Sequence, residues 1–217
     1  MIDLHTHTLF SDGELVVAEH LRRAQVAGYR GVALTDHADP ANLAYILENT
    51  LQLVRGYGAY FGVEVLAGVE LTHVPPALIP EMARQARDLG AQLVVVHGET
   101  LVEPVQEGTN LAAIEAGVDI LAHPGLITDV EAQLAAEKGV ALEITTRKGH
   151  SLSNGHVAAQ ARRFGARMVI NNDAHGPGDF VSRTLRRAVG LGAGLTEDEL
   201  KAAERTSLEI FQKSLKK

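Results

Sequence analysis

The chain has no cysteine and no tryptophan among its 217 residues. Without thiols there is no disulfide framework and no thiolate metal site, a usage that fits a reducing compartment. Aromatic residues make up only 4%, too few for a base-stacking surface. No apolar run is long enough to span a bilayer, and no basic leader precedes an apolar stretch at the N-terminus, so no membrane partner and a cytoplasmic location are expected. Positive charge is also in deficit: 20 Lys and Arg against 27 Asp and Glu give a formal charge of -7. That is the wrong sign for a phosphate-backbone binder, so no duplex nucleic acid is expected as a partner. No linker-like or low-complexity stretch divides the chain. With 46% hydrophobic residues it can bury a sizeable core, and one domain over residues 1–217 is the expected organisation.

What the chain does have is histidine and carboxylate at the ends of strand-like runs. His5 and His7 stand in Asp3-Leu4-His5-Thr6-His7, Asp12 in Ser11-Asp12-Gly13, and Asp36 with His37 in Leu34-Thr35-Asp36-His37. Glu70 closes Gly68-Val69-Glu70, His97 follows Val94-Val95-Val96, His123 follows Leu121-Ala122, and Asp173 and His175 stand in Asn172-Asp173-Ala174-His175. Imidazole and carboxylate are ligands that transition ions share with oxygen-loving ones, and a set this rich implies more than one ion.

Periodicity predicts strands over 2–7, 31–35, 65–71, 92–97, 120–122, 141–145 and 168–171. Helices are predicted over 15–26, 41–60, 79–89, 111–116, 130–137, 154–164 and 197–213, several followed by glycine at a left-handed cap. That is seven β/α units. The intervals from His7 to His37, Glu70, His97 and His123 are 30, 33, 27 and 26 residues, each about one strand-helix-strand unit. In a parallel barrel the C-terminal strand ends share one face, so residues scattered in sequence converge there. A lone histidine in an apolar run is more often a hydrogen-bonded core residue; joint placement at successive strand ends shifts His97 and His123 to metal ligation. His20 and His156 fall inside helical stretches and are assigned solvated or packing roles.

The loop after the sixth strand carries Arg147, Lys148 and His150, where a barrel loop overhangs the site. Arginine grips phosphate bidentately, lysine adds a point charge, and histidine can protonate a leaving oxygen. His73, just beyond Glu70, is a further candidate for the pocket wall. Another rim loop is expected from Gly98-Glu99-Thr100 and the polar run 103–110.

In these motifs, which extend over nearly the whole length, the chain resembles the polymerase and histidinol phosphatase (PHP) family. The resemblance implies a distorted seven-stranded (β/α)7 barrel, TIM-barrel-like, with three divalent metal ions on its C-terminal face. It assigns His5, His7, Glu70 and Asp173 to one ion, Glu70, His97 and His123 to a second, and Asp12, His37 and His175 to a third. Asp12 stands where several PHP phosphatases have histidine; the mixed donor set suits manganese, iron or zinc. The implied activity is hydrolysis of a small phosphate monoester, histidinol-phosphate-like or nucleotide-like, by water activated between two ions. Glu70, Asp173, His175 and Asp36 are the expected catalytic side chains, Asp36 as an orienter of a ligand histidine. Two alternatives stay open: an amidohydrolase-type carbon-nitrogen hydrolase, and a metal-binding PHP interaction module.

Overall fold

Strands and helices alternate along the chain because short β-branched runs are followed by stretches of 3.6-residue apolar periodicity. The computed structural model describes residues 1–217. Its first half contains β1 (Ile2–Asp3), α1 (Val17–Val26), β2 (Gly31–Leu34), β3 (His37–Ala38), α2 (Leu43–Tyr57), β4 (Glu64–Leu71), α3 (Ile79–Asp88) and β5 (Leu93–His97). The second half contains α4 (Thr109–Glu115), β6 (Ile120–Ala122), α5 (Asp129–Lys138), β7 (Ala141–Thr145), α6 (Asn154–Phe164), β8 (Met168–Asn171), α7 (Arg183–Gly192) and α8 (Glu197–Ser214). The order β1-β2-β4-β5-β6-β7-β8 is parallel throughout, and β3 also pairs with β4. Leu34 lies opposite Ala67 and His37 opposite Glu70. β2 and β3 therefore form one strand interrupted at Thr35 and Asp36. The result is a nearly closed barrel of seven parallel strand positions, the expected (β/α)7 architecture.

Period-two alternation fixes what each strand presents to the barrel interior. Leu66, Leu93, Val95, Ile120, Ala122, Ala141 and Val169 share one buried cluster inside the barrel. Their neighbours Ala67, Val69, Val94, Val96, Leu121, Leu142, Ile144 and Ile170 pack outward in the larger cluster with the helices. Following the inward positions towards the C-terminal ends leads from Leu66 through Gly68 to Glu70, from Leu93 through Val95 to His97, and from Val169 through Asn171 to Asp173. The apolar lining thus becomes a polar floor within two pleats.

At the opposite end, α8 covers the barrel: Ile210 and Phe211 join the interior cluster. A side chain at Gly31 would strike the Phe211 ring at 2.7 Å. Capping boxes at Thr128–Glu131 and Thr196–Glu199 start α5 and α8, satisfying backbone N–H groups that would otherwise have no partner.

Two elements differ from the sequence expectation. The first strand is regular only over Ile2 and Asp3, after which a single bridge joins Thr6 to Ala174. Side chains close the seam there instead: Leu4 N–H donates to Asn171 Oδ1 at 3.1 Å, and Asn172 N–H donates to Asp3 Oδ1 at 3.2 Å. Helix α7 had no counterpart in the prediction. Its sequence carries two glycines in the last turn region, but Ser182 caps it by accepting Leu185 N–H at 3.2 Å.

Candidate functional site

The side chains at the C-terminal strand ends meet in one buried cluster. His5 Nδ1–H donates to Glu143 Oε2 at 2.9 Å, which leaves Nε2 facing Glu70 Oε1 at 3.1 Å. Asn171 Nδ2 donates to the same Glu143 oxygen at 2.8 Å and holds it in place. The nitrogens of His97 and His175 are sorted by backbone: His97 Nδ1–H donates to Gly98 O at 3.1 Å and His175 Nδ1–H to Asp173 O at 3.0 Å. A ring whose Nδ1 proton is committed in this way presents a bare Nε2, the arrangement metal-ligating histidines use. His37 Nδ1 sits 2.7 Å from Thr72 Oγ1 and 2.7 Å from Glu70 Oε2.

Four groups offer ligand atoms all within 4.8 Å of one another: His7, Asp12, His37 and His175; His97, His123 and His150; His5, His123 and Asp173; and His5, His7 and Glu70. All nine expected ligands are thus brought together. The grouping departs from the implied partition: Glu70 gathers with His5 and His7 but not with His97 and His123, which are joined instead by His150, while His123 also meets His5 and Asp173 and His7 reaches the Asp12 set. The buried atoms His5 Nε2, both His7 ring nitrogens, Glu70 Oε1, His123 Nδ1 and Asp173 Oδ1 have no hydrogen-bond partner. Buried polar atoms are rarely left unpartnered, and these converge. The donor set, imidazole nitrogen with carboxylate oxygen, fits borderline divalent cations.

Charge in the cluster is strongly coupled. Burial acts to raise Glu70, but the His5 and His37 imidazoles outweigh it and hold the carboxyl well below the usual range. Against burial, Glu70 and Asp12 push His37 up to about 10. Burial keeps His7 and His123 well below the ordinary imidazole value. Burial likewise lifts the Asp173 carboxyl to about 6. Backbone strain gathers here too: His73, His123 and Asp173 have φ of 52°, 27° and 53°, a region that costs a non-glycine residue about 1–3 kcal/mol and is concentrated at functional sites.

A cavity of about 220 Å³ opens above the cluster, lined by Asp12, His37, Thr72, His73, His97, Glu103, Arg147, His150, Asp173 and His175. Arg147 stands at its edge, with Nη1 donating to Asp173 O at 3.2 Å and Nε 3.6 Å from Asp173 Oδ2. His73 lines the wall as expected. Lys148 is exposed and does not line the cavity; the turn after β7 directs only its neighbours inward. His150 is 6% exposed, deeper than a rim residue, with Nδ1 2.7 Å from Thr100 Oγ1. Asp36 makes no hydrogen bond to a histidine. It accepts Thr8 N–H at 2.7 Å, Ser11 Oγ–H at 2.8 Å and Thr8 Oγ1–H at 2.9 Å, so it pins the loop carrying His7 and Asp12.

The orienting carboxylate is Glu143, which the sequence marked only as part of a strand. Its inward register, two positions before Thr145, is the signal that could have found it. Glu103 also reaches the histidines, from within the polar run after β5. Of the two helical histidines, His156 Nε2–H donates to Ile127 O at 2.7 Å, while His20 is wholly buried against Phe180.

A parallel barrel with imidazoles and carboxylates gathered at its C-terminal strand ends defines a β/α-barrel protein with a cluster of metal-ligand type. The chain belongs to the PHP family, whose domain model matches residues 3–121. It is 50% identical to an uncharacterized protein of Methanocaldococcus jannaschii, over 99% of this chain and 98% of that one. It is 29% identical to ribonuclease P protein component 3 of Methanosarcina mazei, over 94% and 85% of the two chains. A protein named probable phosphatase from Shewanella sp. is 31% identical over 80% of this chain and 76% of its own. Among solved structures, a chain of archaeal ribonuclease P with mature tRNA superposes with a TM-score of 0.72 at 20% identity, covering 99% of this chain and 91% of that chain. An amidohydrolase superposes with a TM-score of 0.61 at 15% identity over 98% and 74%; both likenesses are of fold.

Proposed function

We propose that this protein is a metal-dependent phosphoesterase that hydrolyses a small phosphate monoester, histidinol-phosphate-like or nucleotide-like. The observation that carries this reading is the convergence of buried, unpartnered imidazole and carboxylate atoms beneath a small polar cavity with an arginine on its edge. Three divalent ions, manganese, iron or zinc, would be held by His5, His7, Glu70 and Asp173, by Glu70, His97 and His123, and by Asp12, His37 and His175. Bound there, they would supply Lewis-acid stabilisation of phosphoryl charge and lower the pKa of water.

The chain's own residues provide the rest. Glu143 and the backbone carbonyls of Gly98 and Asp173 fix ring orientations, so that little reorganisation is needed when charge develops. Arg147, about a third exposed, is held by Asp173 and Asp179 through Nε and Nη1, which leaves Nη2 for a phosphoryl oxygen. A cavity of about 220 Å³ has room for a phosphoryl group and part of its alcohol.

The test is phosphate release from a panel of phosphomonoesters by protein stripped with chelator and reloaded with manganese, iron or zinc, with N-acyl amino acids as the carbon-nitrogen arm. Turnover of a monoester that vanishes without metal is expected. Turnover confined to the amides, or unaffected by chelation, overturns the reading.

A second reading, a protein component of an RNA-containing assembly, is favoured by the likeness to ribonuclease P component 3 and by one feature of the surface. At the N-terminal end of the barrel, Arg30, Arg183, Arg186, Lys201 and Arg205 line a cavity of about 670 Å³ with only Glu64 and Glu204 to oppose them. Salt-dependent tRNA binding lost on replacing these residues, without any metal-dependent hydrolysis, would decide for that reading.

A further inference from the structure

The cavity of about 670 Å³ at the N-terminal end of the barrel is built mainly by α7, α8 and the start of β2. Arg183 and Arg186 come from α7, Lys201 and Arg205 from α8, and Arg30 from the position before β2. The α7 pair is spaced i, i+3 and the α8 pair i, i+4, so each pair shares one face of its helix. Carboxylates engage only part of this charge. Arg183 Nη1 lies 3.5 Å from Glu204 Oε1, and Lys201 Nζ 3.1 Å from Asp198 Oδ1, whereas Arg30, Arg186 and Arg205 have no ion-pair partner. Glu64 is the one other acid on the lining.

Arg186 sets this cavity apart from an ordinary basic surface. It is 4% exposed, and it lines both this cavity and an adjoining one of about 180 Å³. Its Nη1 has no hydrogen-bond partner. The polar groups near it on the barrel side are occupied elsewhere: Tyr29 O–H donates to Val181 O at 2.9 Å, and Asp3 Oδ1 accepts His5 N–H and Asn172 N–H. Asp3 Oδ2 is itself unpartnered, so that carboxylate acts on Arg186 through its field and not by contact. A guanidinium buried without an acceptor is strongly unfavourable, and its planar fork matches the oxygens of a phosphate.

We propose that this cavity binds a small phosphate-bearing anion, free phosphate or a phosphate monoester, with Arg186 as its buried anchor and Arg30 and Arg205 flanking it. The volume falls among pockets that enclose a small molecule. The formal charge of -7 opposes a polyanion that must pass over a wide surface, while a single phosphate needs only the local field of the arginines. None of the lining residues belongs to the histidine and carboxylate cluster at the other end, so the proposal stands apart from the metal-dependent reading.

The experiment is isothermal titration calorimetry, on protein as purified and after chelation, with inorganic phosphate, adenosine monophosphate and a short single-stranded RNA without terminal phosphates as probes. Wild type is compared with Arg186→Gln, Arg205→Ala and the opposite-end control Arg147→Ala. One small anion should bind per chain, roughly tenfold to a hundredfold more weakly in Arg186→Gln and Arg205→Ala, and with wild-type affinity in chelated Arg147→Ala. Saturating anion should also raise the melting temperature of the wild type. Equal affinity for the two anions makes the phosphoryl group the whole ligand, and tighter nucleotide binding extends the ligand to an ester. Arg205 is exposed, so Arg205→Ala keeps the test decisive if Arg186→Gln does not fold. Absence of saturable binding by either anion, binding that survives both substitutions, or binding lost in Arg147→Ala overturns the proposal. Binding of the RNA alone overturns it in favour of a polymer. Hydrolysis is not part of the readout, so failure here leaves the phosphoesterase reading to its own test.

Discussion

Glu70 faces His5 Nε2 at 3.1 Å, His37 Nδ1 at 2.7 Å and His123 Nε2 at 3.7 Å while wholly buried. An ionised carboxylate in that position is stable only because the imidazoles and any bound cation compensate its desolvation. Glu70→Gln keeps the shape and removes the charge. We expect metal stoichiometry to fall and phosphomonoester turnover to drop by about a hundredfold or more, with the circular dichroism of the fold retained. Wild-type turnover would take Glu70 out of the centre. Arg147→Ala isolates substrate binding from metal binding. Loss of one charged hydrogen bond is worth about 1.5–3 kcal/mol, hence roughly tenfold to a hundredfold in kcat/KM. Metal content should stay constant, and a rise in KM with kcat unchanged would assign Arg147 to ground-state binding. Steady-state kinetics with elemental analysis of the same preparation measure both.

Among the elements, α1 carries the sharpest acid-sensitive feature outside the site. His20 on its buried face packs edge-on against Phe180 at 4.7 Å, and neither ring nitrogen has a partner. Burial pushes its pKa down to about 4 from an ordinary 6.5. The folded state therefore binds this proton less readily than the unfolded chain. Stability is full above pH 6.5 and is lost as pH falls from there through about 4, by up to about 3 kcal/mol. His20→Phe should flatten that part of the stability-pH curve and raise stability near pH 5. Denaturant titrations at pH 7 and pH 5 test this, and an unchanged difference between the two pH values would show that His20 does not contribute. The sequence could not separate burial from solvation for His20, since a histidine fits either face of an amphipathic helix. The elements it revealed well were those with uninterrupted apolar runs, such as β5, β6, β7 and β8. Where order comes from side-chain hydrogen bonds it overextended β1 and missed α7. β1 is held by Asp3 and Asn171, α7 is started by Ser182, and Asp36 serves a loop instead of a histidine, although Leu34-Thr35-Asp36-His37 reads as a strand running into a ligand. The convergence of the nine expected residues was legible because most lie at or just beyond the C-terminal end of a strand; the approach of Glu143 and Glu103 was not, because one lies a pleat below the rim and the other in a loop with no periodicity.

At the scale of the whole molecule, acidity overall hides a polarity between the two ends of the barrel. One end gathers histidine and carboxylate, the other five basic residues around a cavity of about 670 Å³. No helix is long and apolar enough to cross a membrane. The barrel wall is also uneven. β4, β5 and the strands beside them are joined by continuous ladders, whereas β1 and β8 meet through the one Thr6–Ala174 bridge and a few side-chain bonds. Local opening in proteins starts where such bonds are fewest. Removing metal should therefore accelerate amide hydrogen exchange first at His7 and Leu4, whose N–H groups donate across this junction, and lower the melting temperature. Equal protection with and without chelator would show that the two are unlinked. His5 and His7 lie on one side of the junction and Asp173 and His175 on the other, so a cation held between them would act as a rivet through the weakest joint of the wall. Its escape would then be timed by the breathing of that joint, and the rate at which an external chelator strips the protein would become a clock for the opening of the barrel.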